Sequence, residues 1–311
     1  MSTTQIPPDH KLSARMTFTI FLIGALYVAV VAALIGSGVN AGAVIVIAVI
    51  ILFCQYWFSA KLALYGMHGR IVTPQEAPEL HAIVDKLCAA ANMPKPQVAI
   101  ADTDIPNAFA TGRSPKHSVV CATSGIMRRL DADEMEGVLA HELSHVAHRD
   151  VAVMTAASFL GVAAGLITRM FFYSTMFGFG SPIGGNDDED NNGAGAVVVI
   201  MLVSILVYAL SFLLTRTLSR YRELSADRSG AILTQRPSAL ASALRKITGD
   251  MSQIPTRDLR AAEPFNAFFF SPAIANGFSV SSLFSTHPSL ERRLEQLDSI
   301  SRELGQPAIQ H

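Results

Sequence analysis

The chain has 311 residues and a mass of 33.3 kDa, enough for one large domain or two ordinary ones. Charged residues make up 16% and mean hydropathy is +0.36, against roughly 25% charged in typical soluble domains. With Lys+Arg at 24 and Asp+Glu at 25 the net charge is -1, so no global basic field draws the chain to nucleic acid. Composition excludes a disordered, collagen-like or disulfide-scaffold class. The three cysteines, Cys54, Cys88 and Cys121, show no CxxC or CxxH spacing and read as reduced, buried small residues. The bunching of apolar residues points to a membrane protein with a soluble part.

Four apolar runs, 17–35, 41–58, 151–172 and 194–214, are long enough to cross a bilayer, which needs about 20 residues. The first is too long for a signal-peptide core, and a second run follows almost at once. The third carries Arg169 near one end, where it can snorkel to the interface. Runs three and four are rich in Ala and Gly and read either as spans or as a pair of buried core helices. Charge fixes an orientation for spans. Lys11 and Arg15 precede the first run, Lys61 and Arg70 follow the second, and Arg216, Arg220, Arg222 and Arg228 follow the fourth. Residues 37–40 are uncharged, while 178–193 contain Asp187, Asp188, Glu189 and Asp190 without Lys or Arg. The positive-inside rule therefore expects both termini and both soluble blocks in the cytoplasm. The resulting organisation is 1–58 as tail and spans one and two, and 59–150 as the first soluble block. Residues 151–214 form spans three and four, and 215–311 the second soluble block.

In the first block, Leu80, Ile83, Val84 and Leu87 share one face of an expected helix over 76–91. Residues 97–101 and 119–123 read as short strands. Asp131 with Glu134 three residues on is a capping-box start for a helix through Met135, Val138 and Leu139. In the second block 238–248 and 288–304 read as helices, the latter with Leu290, Leu294 and Leu297 on one face. The Phe- and Ser-rich stretch 264–284 reads as an irregular loop. The expected fold class is mostly α with a small β-sheet (α+β), four transmembrane helices and a cytoplasmic domain.

The capped helix carries His141-Glu142-Leu143-Ser144-His145. Histidines at i and i+4 project from one helical face and can bind a single Zn²⁺, with Glu142 placed to take a proton from a metal-bound water. A catalytic zinc takes a third protein ligand. Glu223, in Arg222-Glu223-Leu224-Ser225-Ala226-Asp227, is the leading candidate, with Asp227 one turn on to orient a ligand histidine. His148, seven residues after His141, is a rival ligand, and the 220–228 segment also reads as an ordinary helical charge pattern. Only six positions separate His145 from the third apolar run at Val151, so the metal is expected close to the bilayer surface.

These motifs, with His148-Arg149-Asp150, Asn107-Ala108-Phe109-Ala110-Thr111-Gly112 and Thr286-His287-Pro288, resemble the HtpX family of membrane zinc metalloproteases. The resemblance runs over nearly the whole chain, in the order two spans, HExxH, two spans, ExxxD and Thr-His-Pro. Ser289 stands where that family often has a second proline, and 265–284 looks expanded. The resemblance implies a glutamate-zincin endopeptidase of membrane-protein quality control. It implies His141, His145 and Glu223 as ligands of one Zn²⁺, Glu142 as base and polypeptide substrates. It also implies a multi-pass protein of the plasma (inner) membrane with a cytoplasmic active site. Asn107, Ala108 and Phe109 begin a segment that forms either a substrate-binding edge strand or a turn. His287 either donates to the oxyanion of the tetrahedral intermediate, supported by Arg293, or caps the helix that follows. Two other readings are a prenyl-protein protease, which would carry more spans, and a silent zinc-binding membrane scaffold, against which the intact Glu142 speaks.

Overall fold

The computed structural model describes residues 9–36, 67–150, 192–253 and 288–309, with a set of helical positions between 42 and 65. In chain order it contains α1 (His10–Gly36), β1 (Gly69–Ile71), α2 (Pro78–Ala91), β2 (Gln97–Ala101), β3 (Ala108–Ser114) and β4 (His117–Thr123). There follow α3 (Ser124–Arg129), α4 (Ala132–His148), α5 (Asn192–Thr234), α6 (Pro237–Gln253) and α7 (Leu290–Glu303). Among the described elements the fold is mostly helical with one small sheet. The chain divides into two compact units. One comprises Met1–Ala14, Trp57–Ala152 and Arg216–His311, the other Arg15–Tyr56 and Val153–Thr215.

The second unit holds most of the apolar runs. Run 17–35 lies in α1 and run 194–214 in α5, whereas 151–172 and much of 41–58 lie outside the described residues, as does 264–284. Among the described residues no helix is long and apolar enough to cross a membrane. Phe18, Phe21 and Val28 on α1 and Leu202, Leu206 and Leu210 on α5 are exposed.

In the first unit four strands are ordered β1-β2-β4-β3. β1 and β2 are antiparallel, β2 and β4 parallel, and β3 and β4 antiparallel. Among the described strands β3 is therefore an edge. Thr123 N donates to Asn107 O at 2.9 Å, and Asn107 N donates to Thr123 Oγ1 at 2.9 Å. Antiparallel pairs alternate, so the backbone of Phe109 and Thr111 faces β4 while that of Ala108, Ala110 and Gly112 points away. The segment from Asn107 to Gly112 is thus an edge strand and not the turn its Asn and Gly also permit. β1 has no expectation in the sequence; it starts directly after His68, whose φ of 53° turns the chain.

The helices pack the core against this sheet. Leu80, Val84 and Leu87 of α2 share one buried cluster with Val98, Val120 and Cys121 of the strands and with Val138, Leu139 and Leu143 of α4. Leu240 and Leu244 of α6 and Leu297 and Ile300 of α7 extend the same cluster. Complete burial of each such side chain contributes about 1.5–3 kcal/mol. α2 opens with Pro78 at its first turn and closes on Asn92 in the left-handed region. Asp131 and Glu134 form the reciprocal capping box at the head of α4. α7 starts at Leu290, with Ser289 Oγ accepting from Arg292 N. Ser289 therefore caps that helix, and His287 lies outside the described residues.

Cys88 and Cys121 are free and buried. Burial pushes their thiols up to about 11 and about 12. At pH 8 the thiolate is a minute fraction of either side chain, so iodoacetamide should leave both unmodified in the folded protein. Peptide mass spectrometry after native and denaturing alkylation checks this, with modification expected only in denaturant.

Candidate metal centre

α4 is the positioning element. Its capping box fixes the start, and the 3.6-residue period then sets His141 and His145 one above the other. Both rings and Glu142 between them are buried. α5 supplies the facing wall, and its approach depends on Gly230. A Cβ there would stand 2.9 Å from His141 N and 3.1 Å from His141 Cα. With the backbones this close, Glu223, two turns earlier on α5, reaches the histidines.

His141 Nε2 and His145 Nε2 lie 3.2 Å apart. Each is 3.5 Å from a Glu223 carboxylate oxygen. Four-coordinate zinc with ligands at 2.0–2.2 Å separates neighbouring donor atoms by about 3.4 Å. The three residues form a group whose donor atoms lie within 4.8 Å of one another; His148 is not in it. The donor set and its spacing fit Zn²⁺.

Both histidines are held from behind. His141 Nδ1–H donates to Asp227 Oδ1 at 2.9 Å, and His145 Nδ1–H donates to Asp150 Oδ2 at 2.9 Å. An ionised carboxylate only accepts, so this tautomer leaves each Nε2 lone pair aimed into the metal position. Each carboxylate is paired in turn with a buried guanidinium. Arg293 donates twice to Asp227, from Nε and Nη2, both at 2.7 Å, and Arg222 Nε stands 3.0 Å from Asp150 Oδ2. Asp150 reaches His145 only because Arg149 adopts φ 58° and turns the chain back at the end of α4.

Electrostatics point the same way. Burial alone would push both aspartates up, yet Arg293 holds Asp227, and Arg222 holds Asp150, below the usual carboxylate range. Glu142 is pushed up by burial; its carboxylate accepts from Ala110 N at 3.0 Å. Burial disfavours charge on the histidines, but the carboxylates outweigh it and raise both, His145 to about 10. Four buried carboxylates (Glu142, Asp150, Glu223, Asp227) face two buried guanidiniums (Arg222, Arg293). With both imidazoles neutral and Glu142 ionised, two negative charges are left over, the charge that one Zn²⁺ neutralises; without metal, protons on the raised histidines take its place.

The chain matches Peptidase family M48 over residues 74–301. It belongs to that family. Among M48 relatives, "Protease HtpX homolog 1" of Streptomyces coelicolor is 56% identical over 298 residues, covering 96% of this chain and 95% of its own. "Protease HtpX homolog" of Moorella thermoacetica is 50% identical over 300 residues, covering 96% and 98%. A more distant likeness, of fold alone, is to the crystal structure of S. mikatae Ste24p. The TM-score is 0.51 at 17% identity, covering 93% of this chain and 67% of that one. Family and donor set together make this M48 chain a zinc metalloprotease, with His141, His145 and Glu223 as its zinc-binding triad.

The sequence-derived residues fall in distinct places. His141, Glu142, His145, Glu223 and Asp227 come together, and Asn107, Ala108 and Phe109 open the strand that touches Glu142 through Ala110. Arg293 does join the site, but its guanidinium grips Asp227; its contact is with the carboxylate behind His141. Two further members have no role assigned by the sequence. Asp150 enters there only within the motif His148-Arg149-Asp150, and Arg222 only within the charge pattern of 220–228.

His141→Ala, His145→Ala and Glu223→Ala should each lose bound zinc, measured by elemental analysis of purified protein. Asp150→Asn should retain zinc but bind it about 10–100-fold more weakly in chelator competition. Stoichiometric zinc in Glu223→Ala would remove Glu223 from the ligand set.

Proposed function

We propose that this zinc metalloprotease hydrolyses peptide bonds of misfolded or damaged membrane proteins, drawn as extended segments to a cytoplasmic active site. The observation that carries this reading is the contact between Ala110 N and Glu142, which sets the outer edge of β3 directly beside the zinc-binding triad. An extended segment can add to that edge, meeting the outward backbone of Ala108 and Gly112 on either side of Ala110. Bound zinc supplies a polarised water and a polarised peptide carbonyl. Glu142 accepts the proton of the attacking water and delivers it to the leaving amine nitrogen. Its raised pKa suits a group that first takes and then gives a proton. Asp227 and Asp150 keep both imidazoles in the ligand tautomer, and Arg293 positions Asp227. His287, two residues before the Ser289 cap, is assigned the donation to the oxyanion.

Placement in a plasma (inner) membrane rests on the four apolar runs and on the asymmetry of Lys and Arg about them. The outward-facing Phe18, Phe21, Leu202 and Leu206 support it, since large apolar side chains facing out in rows mark contact with lipid or protein.

Two measurements test the proposal. Glu142→Gln should keep zinc and lose about 10²–10⁴-fold in peptide hydrolysis. In vesicles, a cleavable segment fused to a transmembrane anchor should be cut faster than the same segment free at equal bulk concentration, because tethering raises its effective concentration. Equal rates would overturn the membrane-substrate reading. The orientation has its own check: a cysteine at Asp188 should react with an impermeant thiol reagent added outside intact cells, and one at Ser2 should not.

A further inference from the structure

Beyond the zinc-binding triad, β3 and α4 share a shallow open cleft, lined by Thr111, Gly112, Arg113, Val146 and Arg149. Its two arginines stand out. Among the described residues neither has a carboxylate partner, whereas the buried arginines of the site, Arg222 and Arg293, each hold one. Two guanidiniums on one cleft repel each other and together favour an anion.

The backbone at both arginines is unusual. The β3–β4 register shifts between Gly112 and Ser114, so Arg113 is the extra residue of a bulge, a device that re-aims a side chain beside active sites. Gly112, at φ 139°, makes that bulge; a Cβ there would stand 2.3 Å from His117 O. Arg113 then lies over the Trp57 ring, 4.3 Å from its centroid, a stack that restricts the guanidinium. Arg149 occupies the left-handed region at the end of α4, where residues other than Gly are uncommon. Two separate irregularities, one on the strand and one on the helix, bring positive charge to the same cleft.

The cleft adjoins the reacting centre along both elements. Val146 follows His145 directly on α4. Gly112 is two residues beyond Ala110, about 6.8 Å along the strand. A substrate strand on β3 therefore passes the arginines about two residues from the bond that Glu142 serves.

We propose that Arg113 and Arg149 form a substrate subsite for an acidic side chain, Asp or Glu, about two residues from the scissile bond. This rests on the edge-strand reading above. Arg presents a planar fork that matches a carboxylate, and a charge-assisted pair is the strongest ordinary hydrogen bond available to it. Both guanidiniums, with Arg113 only half-buried and Arg149 exposed, remain open to an incoming side chain.

The test uses full-length, zinc-loaded protein in vesicles of neutral phosphatidylcholine. The substrates are quenched peptides of one sequence carrying Glu, Gln or Lys in turn at each of three positions on either side of the cleaved bond. Glu should be preferred over Gln by about tenfold in kcat/KM at one position only. In Arg113→Gln and in Arg149→Gln that ratio should fall towards one at that position. In Arg113→Glu it should reverse in favour of Lys, with zinc content unchanged throughout. A charge reversal that swaps preference at one position is an effect a folding defect does not produce. No positional preference, or one spread evenly over all positions, would overturn the subsite. So would a rate that follows added anionic lipid and ignores peptide sequence, since the arginines would then serve headgroup phosphates. Cleavage of the Gln peptides, lost in Glu142→Gln, separates failure of the subsite from failure of the hydrolytic reading.

Discussion

The structure turns on the tie between each ligand histidine and an aspartate held by an arginine. His141–Asp227–Arg293 and His145–Asp150–Arg222 are two chains of the same construction, built from different parts of the sequence. Each fixes one imidazole as an Nδ1–H tautomer, so both Nε2 lone pairs converge at 3.2 Å. Without a metal, the surrounding carboxylates raise both imidazoles, so protons stand in for the missing positive charge. A divalent ion competes with those protons for the same Nε2 positions. Removing one member leaves a buried charge uncompensated, which typically costs about 3–5 kcal/mol. That is why the second layer constrains the fold as strictly as the ligands do.

The helix pair that carries these chains was legible in the sequence to a large degree. Asp131 and Glu134 announce the start of α4, and the histidine spacing fixes which face of it matters. Glu223 and Asp227, one turn apart, share a face of α5 for the same reason. These features are local, set by the 3.6-residue period and by capping, so they can be read without knowing the tertiary structure. Arg293 is legible as a site residue, whereas its bond to Asp227 is not. Its position on α7 is periodic, whereas its partner Asp227 lies 66 residues earlier.

What escaped depends on long-range pairing or rare backbone. β3 contains Gly112 and follows Asn107, both turn formers, and β4 turns the segment into a strand by pairing with it. β1 is three residues long, too short for any alternation to register. Asp150 finds His145 through a left-handed Arg149, a conformation that no residue type at that position announces. Arg222 resembles its exposed neighbour Arg228 in sequence, and only the packing of α5 decides that one is buried against Asp150 while the other reaches Glu303 at the surface.

Gly230 shows how the local and the long-range parts depend on each other. The α4 and α5 backbones meet at that glycine, and no side chain larger than hydrogen fits without moving His141. A shift of α5 by even a few tenths of an ångström acts on Asp227 three residues earlier and on Glu223 seven residues earlier, at once. The first sets the tautomer and angle of one ligand, the second is itself a donor. Metal geometry and helix packing are then one constraint seen from two sides. Zinc binding draws α5 onto α4, and close packing at Gly230 prepares the donors for zinc. Because the ion binds the folded arrangement and not the dispersed ligands, its binding free energy adds to folding stability, about 4 kcal/mol at a thousandfold excess over Kd. Burying four carboxylates and two guanidiniums is tolerable because protons on the two histidines, or the metal that replaces them, supply the missing charge, and the reactive centre is thereby also the keystone of the first unit.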